Sequence, residues 1–339
     1  MRHYAFIPRV CQNRPMSPSR VPALVVGAAL LAAAATIAAA DFDVEGHRGA
    51  RGLAPENTLA AFERALALGV TTLEADLAVT RDDVVVVSHN PRLNADLTRD
   101  ASGRWLAAEG PPIRSLTLAE VQRYDVGRTD PASKYGQGFP SQQPRDGERI
   151  PTLDALLALA ARSDRPVRLN IETKITPDQP DDAPAPDAFV ALVAARVRAA
   201  GLSSRVTLQS FDWRTLVAAQ RLAPELKRAC VTQETANSNN VAARDGRASP
   251  WTAGFDLRDA GGSVPRLAKN AGCHVWSPFH RNATPERIAE AHALGLEVLP
   301  WTVNDPADMR RLIESGVDGL ISDYPDRLLE VLRSTPPRR

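Results

Sequence analysis

Short segments with apolar residues at alternate positions recur along this chain, and most are followed by a longer segment with apolar residues at helical spacing. Strands are expected at 42–47, 72–78, 167–175, 206–211, 227–231, 273–277, 297–303 and 319–322, eight in all. Helices are expected at 57–68, 152–161, 187–200, 213–222, 285–294 and 306–315, with a last one after 322. Strands separated by helices pair in parallel, because each helix carries the chain back along the sheet. Roughly 300 residues of this pattern predict one α/β domain, a (β/α)8 TIM barrel, which runs ~250 residues before insertions.

Two insertions interrupt the alternation. Residues 91–149, after the second strand, are rich in Pro, Gly, Arg and Asp and carry one amphipathic helix, Thr117 to Tyr124. Leu118, Val121 and Tyr124 fall on one face of it and are expected to pack on the barrel, making this insertion a cap over the mouth. Residues 232–264 follow a strand end and include Ser249, Pro250 and Trp251. The irregular stretch is read as continuing to Gly272, and a long loop at that end of a barrel shapes a pocket. The acidic, proline-rich run 178–187 reads as a stiff, solvated loop.

The polar residues are placed where such a barrel keeps its chemistry, at the carboxyl ends of strands. Asp43, Glu45 and His47 share one face of the first strand, and Glu74 and Asp76 share one face of the second, about 7 Å apart at ~3.3 Å per residue. Two carboxylates aimed inward repel each other and lose hydration, so a cation or a shared proton must compensate, and a divalent ion is the simpler answer. An exposed strand with arginine partners would carry the same pair, but the apolar opposite face (Leu73, Ala75, Leu77) argues for an inward site. Oxygen-only ligation suits Ca²⁺ or Mg²⁺ rather than zinc. Arg168, Asn170, Glu172 and Lys174 line one face of the third strand opposite an oily one, so Glu172 is placed to complete a metal site and Lys174 to meet an anion. Glu45 is a further candidate for contact with that site.

His47-Arg48-Gly49, Pro55-Glu56-Asn57-Thr58, Glu74 to Asp76, His89, Glu172 to Lys174 and Trp301-Thr302-Val303-Asn304 occur in order. This string resembles the glycerophosphodiester phosphodiesterases, from near the mature amino terminus to Pro325. The resemblance implies a TIM barrel with a capping insertion and a divalent ion held by Glu74, Asp76 and Glu172. It implies His47 and His89 as general acid and base, and phosphate contacts from Arg48 and Lys174. Two local departures from the usual pattern are Arg81-Asp82-Asp83, where an Asp-Gly turn is common, and Asn90 in place of a frequent Asp.

A phosphodiester gains negative charge as phosphorus becomes five-coordinate, and such a site supplies a fixed cation, N–H donors and proton transfer at two oxygens. Histidine, with an ordinary pKa of ~6.5, suits the proton steps. Which imidazole is acid and which base stays open, as does water attack against a cyclic phosphate. Gln209, Phe211 and Trp301 at strand ends are candidates for contact with the glycerol part of a substrate. His3, His274, His280 and His292 are read as structural, His280 alone standing near a strand end. A phosphatidylinositol- or sphingomyelin-cleaving lipase shares the barrel and histidine pair, and a catalytically silent binding protein would keep the metal site. The 91–149 insertion, the Glu172 to Lys174 motif and the presence of both histidines favour the glycerophosphodiester reading. Head-group choice and oligomeric state are open at this point.

Arg2, Arg9, Arg14 and Arg20 precede an uncharged run, 21–40, that ends in Ala38-Ala39-Ala40. Residues 1–40 therefore read as a signal peptide, with the 41–339 barrel domain exported to the periplasm or beyond. A start at Met16 would give a more ordinary signal peptide, and a 20-residue run is long enough to span a bilayer, but its alanine-rich composition favours cleavage over a stable anchor. Cys11 leaves with this segment. The mature part carries 37 basic and 40 acidic residues, a net charge of −3 that implies no nucleic-acid partner. Cys230 and Cys273 remain, and because the expected strands place them at opposite ends, two buried thiols are predicted.

Overall fold

Asp43–Gly46 forms β1 because Val44 buries outward in the main core while Glu45 turns inward, the period-two pattern of a strand with two different faces. The structure, a computed structural model, describes Met1, His3 and residues 42–335. The apolar run 21–40, its cleavage point and Cys11 lie outside the described residues. Helix α1 (Leu59–Leu68) starts at Thr58, whose side chain accepts from the Ala61 N–H, and stops at Gly69, where φ is 97°.

The elements then run β2 (Thr72–Val79), β3 (Val85–Val87), α2 (Leu118–Val121), α3 (Lys134–Gln137), α4 (Leu153–Ala161), β4 (Arg168–Thr173), α5 (Pro186–Ala199), β5 (Val206–Ser210), α6 (Trp213–Leu222) and β6 (Lys227–Thr232). They end with α7 (Val264–Asn270), β7 (Val275–Pro278), α8 (Pro285–Ala293), β8 (Glu297–Val298), α9 (Pro306–Glu314), β9 (Gly319–Ser322) and α10 (Pro325–Ser334). Eight strands pair in parallel in the order β8-β7-β6-β5-β4-β2-β1-β9, and β3 is an antiparallel hairpin partner of β2. Asp318 N–H to Val298 O (3.1 Å), Ile321 N–H to Pro300 O (3.0 Å) and Val303 N–H to Ile321 O (2.9 Å) bring the last strand against the eighth. The chain is the expected (β/α)8 barrel. Its eighth strand is shorter than 297–303, because Pro300 has no N–H to continue the ladder.

Outward side chains such as Leu73, Leu77, Leu169, Ile171 and Leu208 meet Phe62, Phe189 and Trp213 from the helices in one apolar layer. Each fully buried side chain of this kind contributes about 1.5–3 kcal/mol. Inside the barrel the two halves differ. Ala229, Val275 and Leu299 form a small dry cluster on one side, while Glu45, Glu74, Asn170 and Gln209 occupy the other. Strand register puts Asp76, Glu172 and Gln209 side by side across β2, β4 and β5, with Glu74 beside Asn170 one layer below.

The insertion folds against the hairpin, where Ala78 and Val86 bury with Leu93, Ile113, Val121 and Ile150, and Leu118 and Tyr124 pack alongside as expected. Helix α2 is one turn with a Thr117–Glu120 capping box, and the single turn α3 has no long apolar stripe that would reveal it in the sequence. Three expectations are corrected. Residues 264–270, read as irregular, are helix α7, capped by Ser263 and started by Pro265. The 178–187 run is not wholly solvated, since Asp182 is buried and takes a two-bond fork from Arg92 (2.7 and 2.9 Å). Cys230 and Cys273 are a disulfide, with a Cα–Cα distance of 5.9 Å. Strand β7 begins only at Val275, so Cys273 belongs to the turn leaving α7, which reaches the outer face of β6 where Cys230 points.

Candidate active site

The turn after β1 builds the floor of the site. Arg48 and Gly49 both take left-handed φ values, 52° and 87°. A Cβ on Gly49 would stand 2.7 Å from the Ala61 backbone, so only glycine fits there. This turn aims the Arg48 N–H at Glu74 Oε2 (2.7 Å) and leaves His47 at the strand end. The Pro55–Thr58 segment has a task for each polar residue. Glu56 accepts from the Arg48 guanidinium (2.7 Å), Asn57 both donates to Asp76 Oδ2 (2.9 Å) and accepts from the Asp76 N–H (3.2 Å), and Thr58 caps α1.

Glu74, Asp76 and Glu172 are buried, and one carboxylate oxygen from each lies within 4.8 Å of the others. Burial and then the Asp76 charge push the Glu74 carboxyl well above the usual range. Burial also raises Glu172, against the pull of Lys174. Burial opposes ionisation of Asp76 as well, but His89, Arg48 and Lys174 outweigh it and hold Asp76 below its ordinary value. Lys174 Nζ lies 2.9 Å from Glu172 and 3.7 Å from Asp76, and these acids outweigh burial to raise its pKa. Three converging oxygen donors with no sulfur or imidazole among them fit a hard divalent cation, which would relieve their mutual repulsion. Glu45 does not join them. It sits a layer lower, bonded to Asn170 (2.8 Å), with burial and Asp43 raising its pKa.

His47 Nδ1 is 2.6 Å from Asp323 Oδ1, which turns Nε2 toward the cavity, 3.9 Å from Glu74. Burial, then Arg51, lower its pKa to about 4, so the imidazole is neutral at ordinary pH. His89 follows β3, and the Ser88 N–H to Asp76 O bond (2.9 Å) holds it over the acidic cluster. Burial, then Arg48 and Lys174, lower its pKa well below the usual value, and Asn90 Oδ1 is 3.2 Å from its Nδ1.

His47, Arg48, Glu74, Asp76, His89, Glu172, Lys174, Gln209, Phe211 and Trp301 all line one cavity of about 150 Å³ at the carboxyl ends of the strands. Gln209 donates to Glu74 Oε1 (2.8 Å), so its amide steadies the acidic cluster. Phe211 and Trp301 meet edge to face at 5.2 Å, and the Trp301 N–H is committed to Ser277 O (3.0 Å), leaving apolar ring surface to the cavity. His280 stands behind that wall, 4.6 Å from the Phe279 ring and 3.7 Å from Asp308.

Sequence reasoning missed Asp323, Arg51 and Tyr135. Asp323 takes a fork from Arg51 (2.8 and 3.0 Å) and a bond from Asn304 (2.7 Å), besides His47. Tyr135, on α3, donates to Glu56 and accepts from Arg51 (3.1 Å), so the insertion does reach the site. Asp323 had a signal, as an acid directly following the last strand on the active face. Tyr135 had none, because contact across 79 residues leaves no periodic trace.

The model of the glycerophosphoryl diester phosphodiesterase family matches residues 47–327, which span this whole site. The chain belongs to that family. Within the family, it is 29% identical over 287 residues to a glycerophosphodiester phosphodiesterase from Caldanaerobacter subterraneus subsp. tengcongensis, covering 85% of this chain and 96% of the relative. A crystal structure from Silicibacter pomeroyi, provisionally designated a glycerophosphoryl diester phosphodiesterase, is 38% identical with a TM-score of 0.77, covering 87% of this chain and 94% of that one. An Oleispira antarctica phosphodiesterase solved with its product, sn-glycerol-3-phosphate, shares the family fold at 22% identity and a TM-score of 0.61, covering 87% of this chain and 99% of that one. Family membership makes the protein a phosphodiester hydrolase.

Proposed function

We propose that this protein hydrolyses glycerophosphodiesters to sn-glycerol 3-phosphate and an alcohol. Glu74, Asp76 and Glu172 would hold a divalent ion, Ca²⁺ or Mg²⁺, and His47 and His89 would exchange the protons. The observation that carries this reading is the convergence of three buried carboxylates and two imidazoles of lowered pKa on one small cavity. When bound, the ion supplies fixed positive charge to the nonbridging phosphate oxygens. Arg48 and Lys174 offer N–H donors to the same oxygens. Phe211 and Trp301 give the glycerol carbons an apolar wall.

His47, kept neutral and oriented by Asp323, takes the proton of the attacking oxygen at Nε2. His89 gives a proton to the leaving oxygen, a division favoured by its place where the catalytic cavity opens into a second one. A bound phosphodiester anion beside His89 raises its pKa toward the working range. Hydrolysis of bis-p-nitrophenyl phosphate tests the division, because a good leaving group needs no acid. His89→Ala should recover most of its lost turnover on that substrate, and His47→Ala should not. Full activity of the wild type after exhaustive chelation would defeat the metal assignment.

We also propose export, supported by the arginine-led, alanine-ended leader and by a disulfide, which persists in oxidising compartments. Amino-terminal sequencing of the secreted fraction should begin at or near Asp41, and a membrane-bound, full-length product would refute release.

A further inference from the structure

Beyond His89 the catalytic cavity continues into a larger one of about 560 Å³, and His89, Glu172, Lys174 and Phe211 border both. The outer cavity lies between the loop after β4 and the loop after β6. Its position beside His89 makes it the place for the group that leaves.

Four charged side chains other than the histidine border it, and they form two opposite-sign pairs. Glu172 pairs with Lys174 at 2.9 Å, and Asp178 with Arg244 at 3.7 Å. The charges bordering the cavity therefore cancel, and the wall carries no net charge that would draw in an ammonium group or a second anion. Two aromatic rings border the cavity, Phe211 and Trp251, and Lys174 Nζ already stands 5.6 Å from the centre of the Phe211 ring, so a quaternary ammonium would have the single Trp251 ring to rest on rather than an aromatic cage. A second cation at the Phe211 ring would meet like charge. What the wall offers instead is neutral hydrogen-bonding capacity. The side chains of Gln179, Asn237 and Ser238 make no hydrogen bond to the described residues, and Asn239 uses only its Oδ1, leaving its NH₂ free.

We infer that the outer cavity selects a neutral, hydroxyl-rich head group, such as glycerol, inositol or a sugar, over choline, ethanolamine or serine. The inference rests on the glycerophosphodiester reading. Amides supply donor and acceptor together and match a hydroxyl in either sense. Discrimination arises because a site built for hydroxyls leaves its polar groups unpaired when a trimethylammonium enters. In the reaction the bond from phosphorus to the head-group oxygen breaks, the water oxygen joins phosphorus, and the head group leaves as the free alcohol carrying the proton.

The test compares kcat/KM of the whole protein, with Ca²⁺ or Mg²⁺, on glycerophosphoglycerol, glycerophosphoinositol, glycerophosphocholine, glycerophosphoethanolamine and glycerophosphoserine. p-Nitrophenyl glycerophosphate serves as a head-group-independent control. The neutral pair should exceed the others by about tenfold or more, the discrimination expected from one or two hydrogen bonds of about 1 kcal/mol each. Equal or better cleavage of glycerophosphocholine, with the control cleaved, overturns the inference and leaves the glycerophosphodiester reading standing. If neither the control nor any of the five is cleaved, that reading fails and the inference fails with it. Arg244→Ala, which frees Asp178, should shift the inositol-to-choline ratio at least threefold toward choline, and an unchanged ratio also counts against the inference.

Discussion

Asp323 Oδ1 lies 2.6 Å from His47 Nδ1, and the same carboxylate accepts a fork from Arg51, so the last strand sets the orientation of a histidine on the first. Burial works against the Asp323 charge, but His47 and Arg51 hold its pKa below the ordinary range, so it remains an acceptor throughout the working range. Asp323→Asn leaves the shape nearly intact yet allows the amide to donate, which favours the wrong tautomer. Turnover should fall on the order of 10²-fold to 10⁴-fold with KM little changed. A KM effect with kcat preserved would show Asp323 to be structural only.

The lowered pKa of His47 makes a claim about pH. With a folded value of about 4 against ~6.5 for the free side chain, the unfolded chain binds more protons between those limits. The contribution to stability is complete above pH ~6.5 and is lost as pH falls toward 4, to a total on the order of 3 kcal/mol. Urea denaturation at pH 7 and pH 4.5 should show a smaller loss for His47→Gln than for the wild type. Equal losses would mean that His47 titrates normally in the fold.

Asn57 touches Asp76 through both ends of its amide, and it adopts a φ of 55° to do so. Asn57→Ala should weaken divalent-ion affinity by roughly 10-fold to 100-fold, the usual cost of losing a group that orients a ligand. Calorimetric titration of the ion, independent of turnover, checks this. Unchanged affinity would assign Asn57 to the turn alone.

Cys230 and Cys273 close a loop with a sequence separation of 43. Replacing both with serine should lower unfolding free energy by about 2–4 kcal/mol while kcat on a p-nitrophenyl diester stays within about twofold. A large loss of kcat without loss of stability would place the disulfide in control of the site.

The barrel was legible because strand and helix periods alternate, and the inward acids because Glu74, Asp76 and Glu172 sit opposite oily residues on buried strands. Local signals also served where one residue decides, as at Thr58 and Gly69 of α1. Failures came where structure depends on distant partners. Asp182 looks solvated until Arg92 is seen beside it, Tyr135 joins Glu56 across the mouth, and Cys273 meets Cys230 only because α7 forms. Gln209 lines the cavity as its strand pattern predicts, while its bond to Glu74 was not legible, since a strand pattern predicts which way an amide points but not which neighbour it meets.

The 230–273 disulfide brackets the segment that supplies Asn237, Ser238, Asn239 and Arg244 to the outer cavity. That segment is thus a ring staple-closed at its base, and a change of length or composition within it is confined by the crosslink before it reaches the strands. Under the proposed mechanism the residues that cleave the phosphodiester come from β1, β2, β4, β9 and the turns around them, all outside the ring. If the outer cavity selects the head group, much of its wall lies inside the ring while the residues it shares with the catalytic cavity lie outside, so the 232–264 cassette is the part of this enzyme to exchange when a different alcohol is to be released.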